Sequence, residues 1–438
     1  MKGSAKKFSL YTAIMIVIAN MIGTGVFTSI GFQVVGIKSG SAIVLLWVIG
    51  GIISFFGAYS YAILGSFYKK NGGEYLFLKQ TYSERLGFLS GWISFLLGFA
   101  APIAAACFAF SSYFTGVMSL NPLDKFFGVS VLAVVSIIVL LIITAIHSFS
   151  HKVSAVFQNV SSTLKIIILL LLIVIGFVSG KSTVTSFELD GFFIDSIWNK
   201  AFAFSLFFVT YSYSGWNAAS YITGEVKNPE RNVPIALIIG TGTVSLLYVL
   251  LNFVFLKNIP LIQMENKIEI GTIFTTFILG SFWGKIFGGI ISFLLISSIS
   301  SMVIAGPRVT NAVATDFNKL SWFSKLNSQG LPLKALWVQA FIAIIFILTS
   351  SFESMITMIG FVLNLFTMLT VIGAIKVGNT LKGERKLINK WVFPLFPLIF
   401  LLFQVWILIF GLYSRPIESC VGLLITLIGI PIYSWVKK

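Results

Sequence analysis

Apolar residues occupy this chain in long uninterrupted blocks, and polar residues are pressed into short clusters between them. From Lys7 to Lys38 no charged residue intervenes. Gaps of this length suit helices that cross the ~30 Å hydrocarbon core of a bilayer. Twelve such spans are expected, at residues 9–35, 41–68, 86–117, 127–147, 154–179 and 200–224 in the first half. In the second half they fall at 233–256, 286–308, 335–351, 354–376, 391–413 and 417–436. The stretch 270–284 is short for a span and is expected to lie on the outer surface or re-enter the membrane.

Composition turns this pattern into a class. Of 438 residues, 57% are hydrophobic and only 10% charged, which excludes a soluble globular protein. An even number of spans puts both termini on one side. With the termini inside, 21 of the 30 Lys and Arg fall on inner segments, 8 on outer loops, and Lys165 within the membrane. The positive-inside bias therefore predicts cytoplasmic termini. The net charge of +16 is spread over many short segments, so it reads as membrane anchoring and not as a nucleic-acid surface. Short loops and minimal tails favour a bacterial inner membrane. The first block is too long for a signal h-region and lacks a small-residue cleavage site. Cys107 and Cys420 both fall in spans, so no disulfide framework and no disulfide-linked partner subunit is inferred. The whole chain, 1–438, reads as one membrane domain.

Within the first span, "ANMIGTGVF" (19–27) places Gly23-Thr24-Gly25 near the centre of a helix. Glycines in membrane helices commonly serve close packing. Irregular backbone at that depth, however, is tolerated only where it is buried in protein or lines a wet cavity. An unwound turn there offers N–H groups at the start of the outer half-helix, which favour a carboxylate, and carbonyls at the end of the inner half, which favour an ammonium. A zwitterionic amino acid carries both charges. Gly23 and Gly25 let such a ligand approach the backbone, and Thr24 adds a hydroxyl. The sixth span repeats the irregularity: Tyr211-Ser212-Tyr213-Ser214-Gly215 interrupts "FFVTYSYSGWNAASYITGE" (207–225) midway. Two interrupted helices five spans apart are the pattern of secondary transporters built from inverted repeats, with a midplane site for a small molecule.

These residues carry a resemblance. "GTGVF" in span 1 is similar to the Gly-Ser/Thr-Gly motif of amino acid permeases of the amino acid–polyamine–organocation superfamily. "GEVKNPERNVPIAL" (224–237) resembles the signature that follows their sixth span. "GGEY" (72–75), "AGPRVTNAVATD" (305–316) and the closing "PIYSWVKK" extend the likeness over nearly the whole chain in the expected order. The resemblance implies an all-α LeuT-type fold, with inverted repeats at 9–179 and 200–376 and two peripheral helices at 391–436. It implies a substrate carboxylate on the N–H groups of Gly23, Thr24 and Gly25, and an ammonium on carbonyls near Met21, Tyr211 and Ser214. Tyr213 and Trp216 flank the unwound segment as gate or pocket residues, although both also suit plain aromatic packing.

Lys165 is a cation in the middle of an apolar span, 13 residues beyond Lys152 and 16 short of Lys181. It lies roughly 15 Å from the inner end of its helix, further than a lysine stem snorkels. An ionisable residue at that depth is a functional candidate facing the bundle interior, or a structural partner of interior carbonyls. Gln158, Ser161, Ser162 and Lys165 form one polar stripe at i, i+3, i+4 and i+7. The residue resembles the span 5 lysine of sodium-independent permeases related to L-type amino acid transporters, whose ammonium stands where sodium sits in coupled relatives. That implies a link from Gly23 to the "SSISS" run (297–301), with Ser300 or Ser301 as first expectation, and transport without sodium.

The fourteen acids all lie in loops or at helix ends, so no acidic side chain is expected in the pocket. Neutral amino acids by exchange are preferred on that ground, with proton symport and cationic amino acids or polyamines as alternatives. The small-residue run "AAPIAAACFAF" (100–110) reads as helix packing that can also admit a substrate side chain. His147 and His151 stand at i, i+4 without acidic or cysteine neighbours; solvated or lipid-facing histidines are expected, with no metal site and no cofactor. "NVS" (159–161) is a chance sequon at membrane depth. Asn364 suits an interhelical hydrogen bond or a substrate contact. No nucleophile–base cluster points to an enzyme and no repeated filter or charge ring to a channel. An amino acid sensor on a transporter scaffold stays open.

Overall fold

The computed structural model describes residues 8–126, 128–149, 151–179, 187–350, 352–380 and 392–437. For 151–155 and 352–357 only the backbone is described, so the side chain of His151 lies outside it, as do Lys7 and Lys181. The first apolar block is two helices, α1 (Leu10–Met21) and α2 (Gly25–Gly36), separated by Ile22-Gly23-Thr24. Ser9 starts α1 by accepting the Thr12 N–H at 3.2 Å, and Ser39 starts α3 (Gly40–Phe67) by accepting that of Ala42 at 3.3 Å. α4 (Glu74–Thr81) precedes α5 (Glu84–Ile93), which passes through a π-helical turn at Ser94–Gly98 into α6 (Ala100–Val117). A two-stranded hairpin (Lys125–Phe126 with Val129–Ser130) joins α6 to α7 (Val131–Phe149), which leads to α8 (His151–Val178).

The second half opens with α9 (Gly191–Ile197), bent by 65° from α10 (Lys200–Ser212). After a break at 213–217 comes α11 (Ala218–Tyr221). The long α12 (Pro229–Asn258) and short α13 (Leu261–Met264) and α14 (Ile270–Leu279) lead to α15 (Ser281–Asp316). Then follow α16 (Ser321–Ser324), α17 (Leu333–Thr349), α18 (Phe352–Thr380), α19 (Leu395–Ser414) and α20 (Pro416–Lys437). Among the described residues ten segments are long and apolar enough to cross a membrane, or eleven with the bent α9–α10 pair. α17, with 17 residues, is shorter. This is an all-α polytopic membrane protein interrupted in its first and sixth blocks.

The stretch 270–284 is not one surface helix. Gly280, at φ +90°, ends α14 and starts α15, so the last residues of that stretch open a 36-residue helix. That φ favours glycine, which makes Gly280 a natural helix stop. The predicted small-residue run of the third span mostly packs, with Ala100, Ala101, Ala104 and Ala105 fully buried.

α1–α2 is the most enclosed span, followed equally by α5–α6 and α15, whereas α19 and α20 are the least buried. The two interrupted blocks interlock at glycines. A Cβ on Gly25 would overlap the backbone of Ser212 at the end of α10. Gly215, at φ +93°, brings its backbone against Asn20, whose Nδ2 donates to the Gly215 carbonyl at 3.2 Å. At Gly23 the nearest atom to an added Cβ is 3.8 Å away, so packing does not demand glycine there. Gly25→Ala is therefore expected to lower stability by about 1–3 kcal/mol through overpacking, and Gly23→Ala by less. Thermal unfolding of the detergent-solubilised variants checks the order.

Candidate substrate site

Unwinding at Ile22-Gly23-Thr24 frees backbone groups that hydrocarbon cannot satisfy, so the local question is where each one goes. The Gly23 N–H turns back to the Met21 carbonyl at 2.7 Å. That same carbonyl accepts the Tyr248 hydroxyl at 2.6 Å. The Ile22 carbonyl accepts the Lys165 ammonium at 2.5 Å and the Ser298 hydroxyl at 2.8 Å, and Lys165 also donates to Ser298 Oγ at 2.7 Å. Among the described residues the N–H groups of Thr24 and Gly25 meet no backbone acceptor.

Lys165 is completely buried and ties α8 to the break and to α15, as its depth predicts. Two details differ from expectation. The carbonyl is that of Ile22 and not of Gly23, and the serine is Ser298 in place of Ser300 or Ser301. Helical phase explains the second. Ser301, one turn on from Ser298, faces the same break and donates to Asn20 Oδ1 at 3.2 Å. Ser300, two residues from Ser298, points to the other side, where it donates to Gln158 Oε1 at 2.9 Å and meets His147 Nε2 at 2.8 Å. His147 is thereby buried and hydrogen-bonded, not solvated or lipid-facing. The predicted stripe is real: Gln158 Nε2 donates to Ser162 Oγ at 3.1 Å, one turn before Lys165.

A cavity lies between the two breaks, walled by Gly23, Thr24 and Gly25 from the first and by Tyr211, Ser214, Gly215 and Trp216 from the sixth. Thr24 Oγ1 and the Tyr211 hydroxyl are 3.3 Å apart. Met21 also lines it, but its carbonyl already holds two donors, so it is a poor seat for an ammonium. Trp216 forms a wall with its edge against Tyr61, ring centroids 4.8 Å apart. Tyr213 does not line the cavity: it points away between α3 and α12, donates to the Trp47 carbonyl at 2.8 Å and packs on Tyr248. A gate role for Tyr213 is thus replaced by helix packing: its ring turns toward α3 and α12, while Ser212 and Ser214 on either side of it line the cavity. The third span contributes Ser94 and Gly98 of its π turn, and Pro102 and Ala106 beyond it; such turns recur at functional sites.

Three residues of the wall escape sequence reasoning or exceed it. Asn364 of α18 lines the cavity with its Nδ2 unpaired among the described residues, and Gln404 of α19 does so with its Oε1 unpaired. Glu74, at the start of α4 ahead of the third span, is 3% exposed and lines the same cavity, so the expectation of a pocket without acids is corrected. Its Oε1 accepts Tyr61 Oη at 2.5 Å, Asn217 Nδ2 at 3.2 Å and Thr367 Oγ1 at 3.3 Å. Burial raises its carboxyl above the usual range, and these three bonds pull it back. The sequence hid it in the cluster "YKKNGGEY", which reads as a solvated turn.

Near the N-terminus of the chain, polar contacts tie the ends of several helices together. Arg308 Nε and Asn71 Nδ2 both reach Glu225 Oε1 at 3.1 Å, and Phe8 pairs with the backbone of Glu225 and Lys227 at 2.7 and 2.9 Å. Lys79 meets Asp316 at 2.8 Å beside the Tyr75 hydroxyl.

Two interrupted helices facing each other across a cavity, in a polytopic helical protein, are the arrangement of a secondary transporter. The chain belongs to the amino acid permease family, whose model matches residues 8–430. It is 25% identical to the serine/threonine exchanger SteT of Bacillus subtilis, over 100% of this chain and 98% of that one. It is 28% identical to the mouse large neutral amino acids transporter small subunit 2 (98% and 80% covered) and 26% to the mouse b(0,+)-type amino acid transporter 1 (94% and 83%). It is an amino acid permease acting by secondary transport, with an amino acid and the bilayer as its partners.

Replacing Lys165 by Met keeps the stem and removes the cation, leaving the Ile22 carbonyl to Ser298 alone. The expected loss is about 1.5–3 kcal/mol of stability, the worth of a charged hydrogen bond, together with loss of transport. Ser298→Ala should weaken both less, and Ser300→Ala should leave the Lys165 contacts untouched. Thermal unfolding and uptake measured on the three variants test the order.

Proposed function

We propose that this permease exchanges neutral L-amino acids by alternating access, without sodium. The observation that carries the reading is the Lys165 ammonium seated on the Ile22 carbonyl and Ser298 hydroxyl. A tethered cation at that point repels Na⁺ and occupies the oxygens that would coordinate it. Exchange is supported by the Bacillus relative, itself a serine/threonine exchanger. Neutral substrates are supported by the relative that is a large neutral amino acids transporter subunit, and by a cavity whose unpaired Asn364 and Gln404 groups suit an uncharged polar side chain.

In this reading the substrate carboxylate rests on the N–H groups of Thr24 and Gly25, its ammonium on carbonyls around Tyr211 and Ser214, and Trp216 closes the wall. The architecture is the twelve-span 5+5 form: α9–α11 supply the sixth span and α17 the ninth. Repeats occupy 9–179 and 200–376, and two outer helices occupy 391–436. Both termini are cytoplasmic, in a bacterial inner membrane.

Reconstituted liposomes test it with labelled neutral amino acids in sodium-free buffer. Uptake is expected only with unlabelled amino acid inside, and unchanged when sodium replaces choline. Uptake into empty liposomes driven by an inward proton gradient would instead make this a proton symporter.

A further inference from the structure

Glu74 stands apart from the other paired acids of this protein. Glu84, Glu225, Glu230, Glu265, Asp316 and Glu418 each meet a Lys or Arg. Glu74, more deeply buried than any of them, has no ion-pair partner among the described residues. It is also the one ionisable side chain other than tyrosine among the described residues that line the substrate cavity. All three of its donors are neutral and converge on Oε1, and among the described residues no donor reaches Oε2. Around it stand Tyr61 from α3, Asn217 and Tyr221 beside the second break, and Thr367 from α18. A buried carboxylate in such a place is costly unless a cation joins it, so one that lines a ligand cavity is suited to receive a cationic group.

We propose that Glu74 is an anionic subsite of the substrate cavity that receives the amine or guanidine group of a cationic amino acid side chain, so that the permease takes cationic as well as neutral amino acids. The assignment rests on the substrate reading above and extends it. The α-carboxylate and α-ammonium stay at the two breaks, where every amino acid presents the same groups. The side chain then runs along the Trp216 wall toward Asn217, which touches both Glu74 and the inner end of the second break. A neutral side chain leaves Glu74 with its three donors and, given its raised carboxyl, protonated over more of the acidic range. A cationic one supplies the missing counter-charge and favours the ionised form.

The test compares half-inhibition of labelled serine counterflow by external lysine and by external alanine, in the wild type, Glu74→Gln and Glu74→Asp. Lysine is expected to compete in the wild type. Glu74→Gln, which keeps an acceptor for the three donors, should raise the lysine concentration needed by roughly tenfold, the equivalent of one such pair, with alanine shifting far less. Glu74→Asp should keep part of the lysine preference. Acidifying the medium should weaken lysine and spare alanine, since Glu74 takes a proton as pH falls. Equal weakening of lysine and alanine would show a merely structural carboxylate and overturn the assignment, as would a wild type that carries alanine and ignores lysine at every pH. If Glu74→Gln does not fold, the pH arm on the wild type decides. If counterflow itself fails, the exchange reading falls, and stabilisation of the detergent-solubilised protein by lysine over alanine, lost at acid pH, still decides this one.

Discussion

A helix cannot be interrupted inside hydrocarbon unless every freed backbone group finds a partner, and in this permease that requirement organises everything around the first break. The Ile22 carbonyl carries two donors, Lys165 and Ser298, brought from α8 and α15. The Met21 carbonyl carries two more, from Gly23 and Tyr248. Satisfying the carbonyl end with protein groups leaves the N–H end, at Thr24 and Gly25, facing the cavity. The asymmetry leaves donors, and not acceptors, unmatched by backbone at this turn among the described residues. It also ties α1, α8, α12 and α15 together, since the donors to these two carbonyls come from Lys165 on α8, Tyr248 on α12 and Ser298 on α15.

The second break is held differently. Gly215 adopts a conformation that suits glycine and presses its backbone on Asn20, so the two interruptions meet through main chain and one amide. Close approach at Gly25 and Gly215 lets the two interrupted helices touch beside the cavity. Glu74 and Asn217 line the cavity, and the short helix α11 connects Asn217 to the following turn, whose Glu225 meets Arg308.

What the sequence made legible were features with a local signature. Glycines in the middle of an apolar block, a polar interruption five spans later, and a lone lysine at membrane depth each stand out against their neighbours, and each lies where expected. What it hid depended on helical phase or on long-range burial. Whether Ser298, Ser300 or Ser301 meets Lys165 turns on the rotation of α15 relative to α8, and nothing in "SSISS" marks it. Tyr213 and Trp216 are neighbours in a break, where no period tells which faces the cavity. Glu74 and His147 sit beside charged clusters that resemble solvent-facing turns, and only the packing of distant helices buries them. The corner at Gly280 was readable in principle, as a glycine between two apolar runs, but a continuous apolar stretch reads equally well as one helix.

Lys165 has one further consequence, which concerns energy and not geometry. A dissolved ion that occupies a transporter arrives from one compartment and departs into the other, and its electrochemical gradient enters the cycle with it. An ammonium fixed to α8 by a covalent stem has no compartment to leave for. Its place in the site does not depend on the sodium concentration of either compartment. At this position the protein therefore supplies its own tethered amine where a dissolved metal cation would bring a gradient with it. A sodium gradient has no purchase on the cycle at a site already filled in this way.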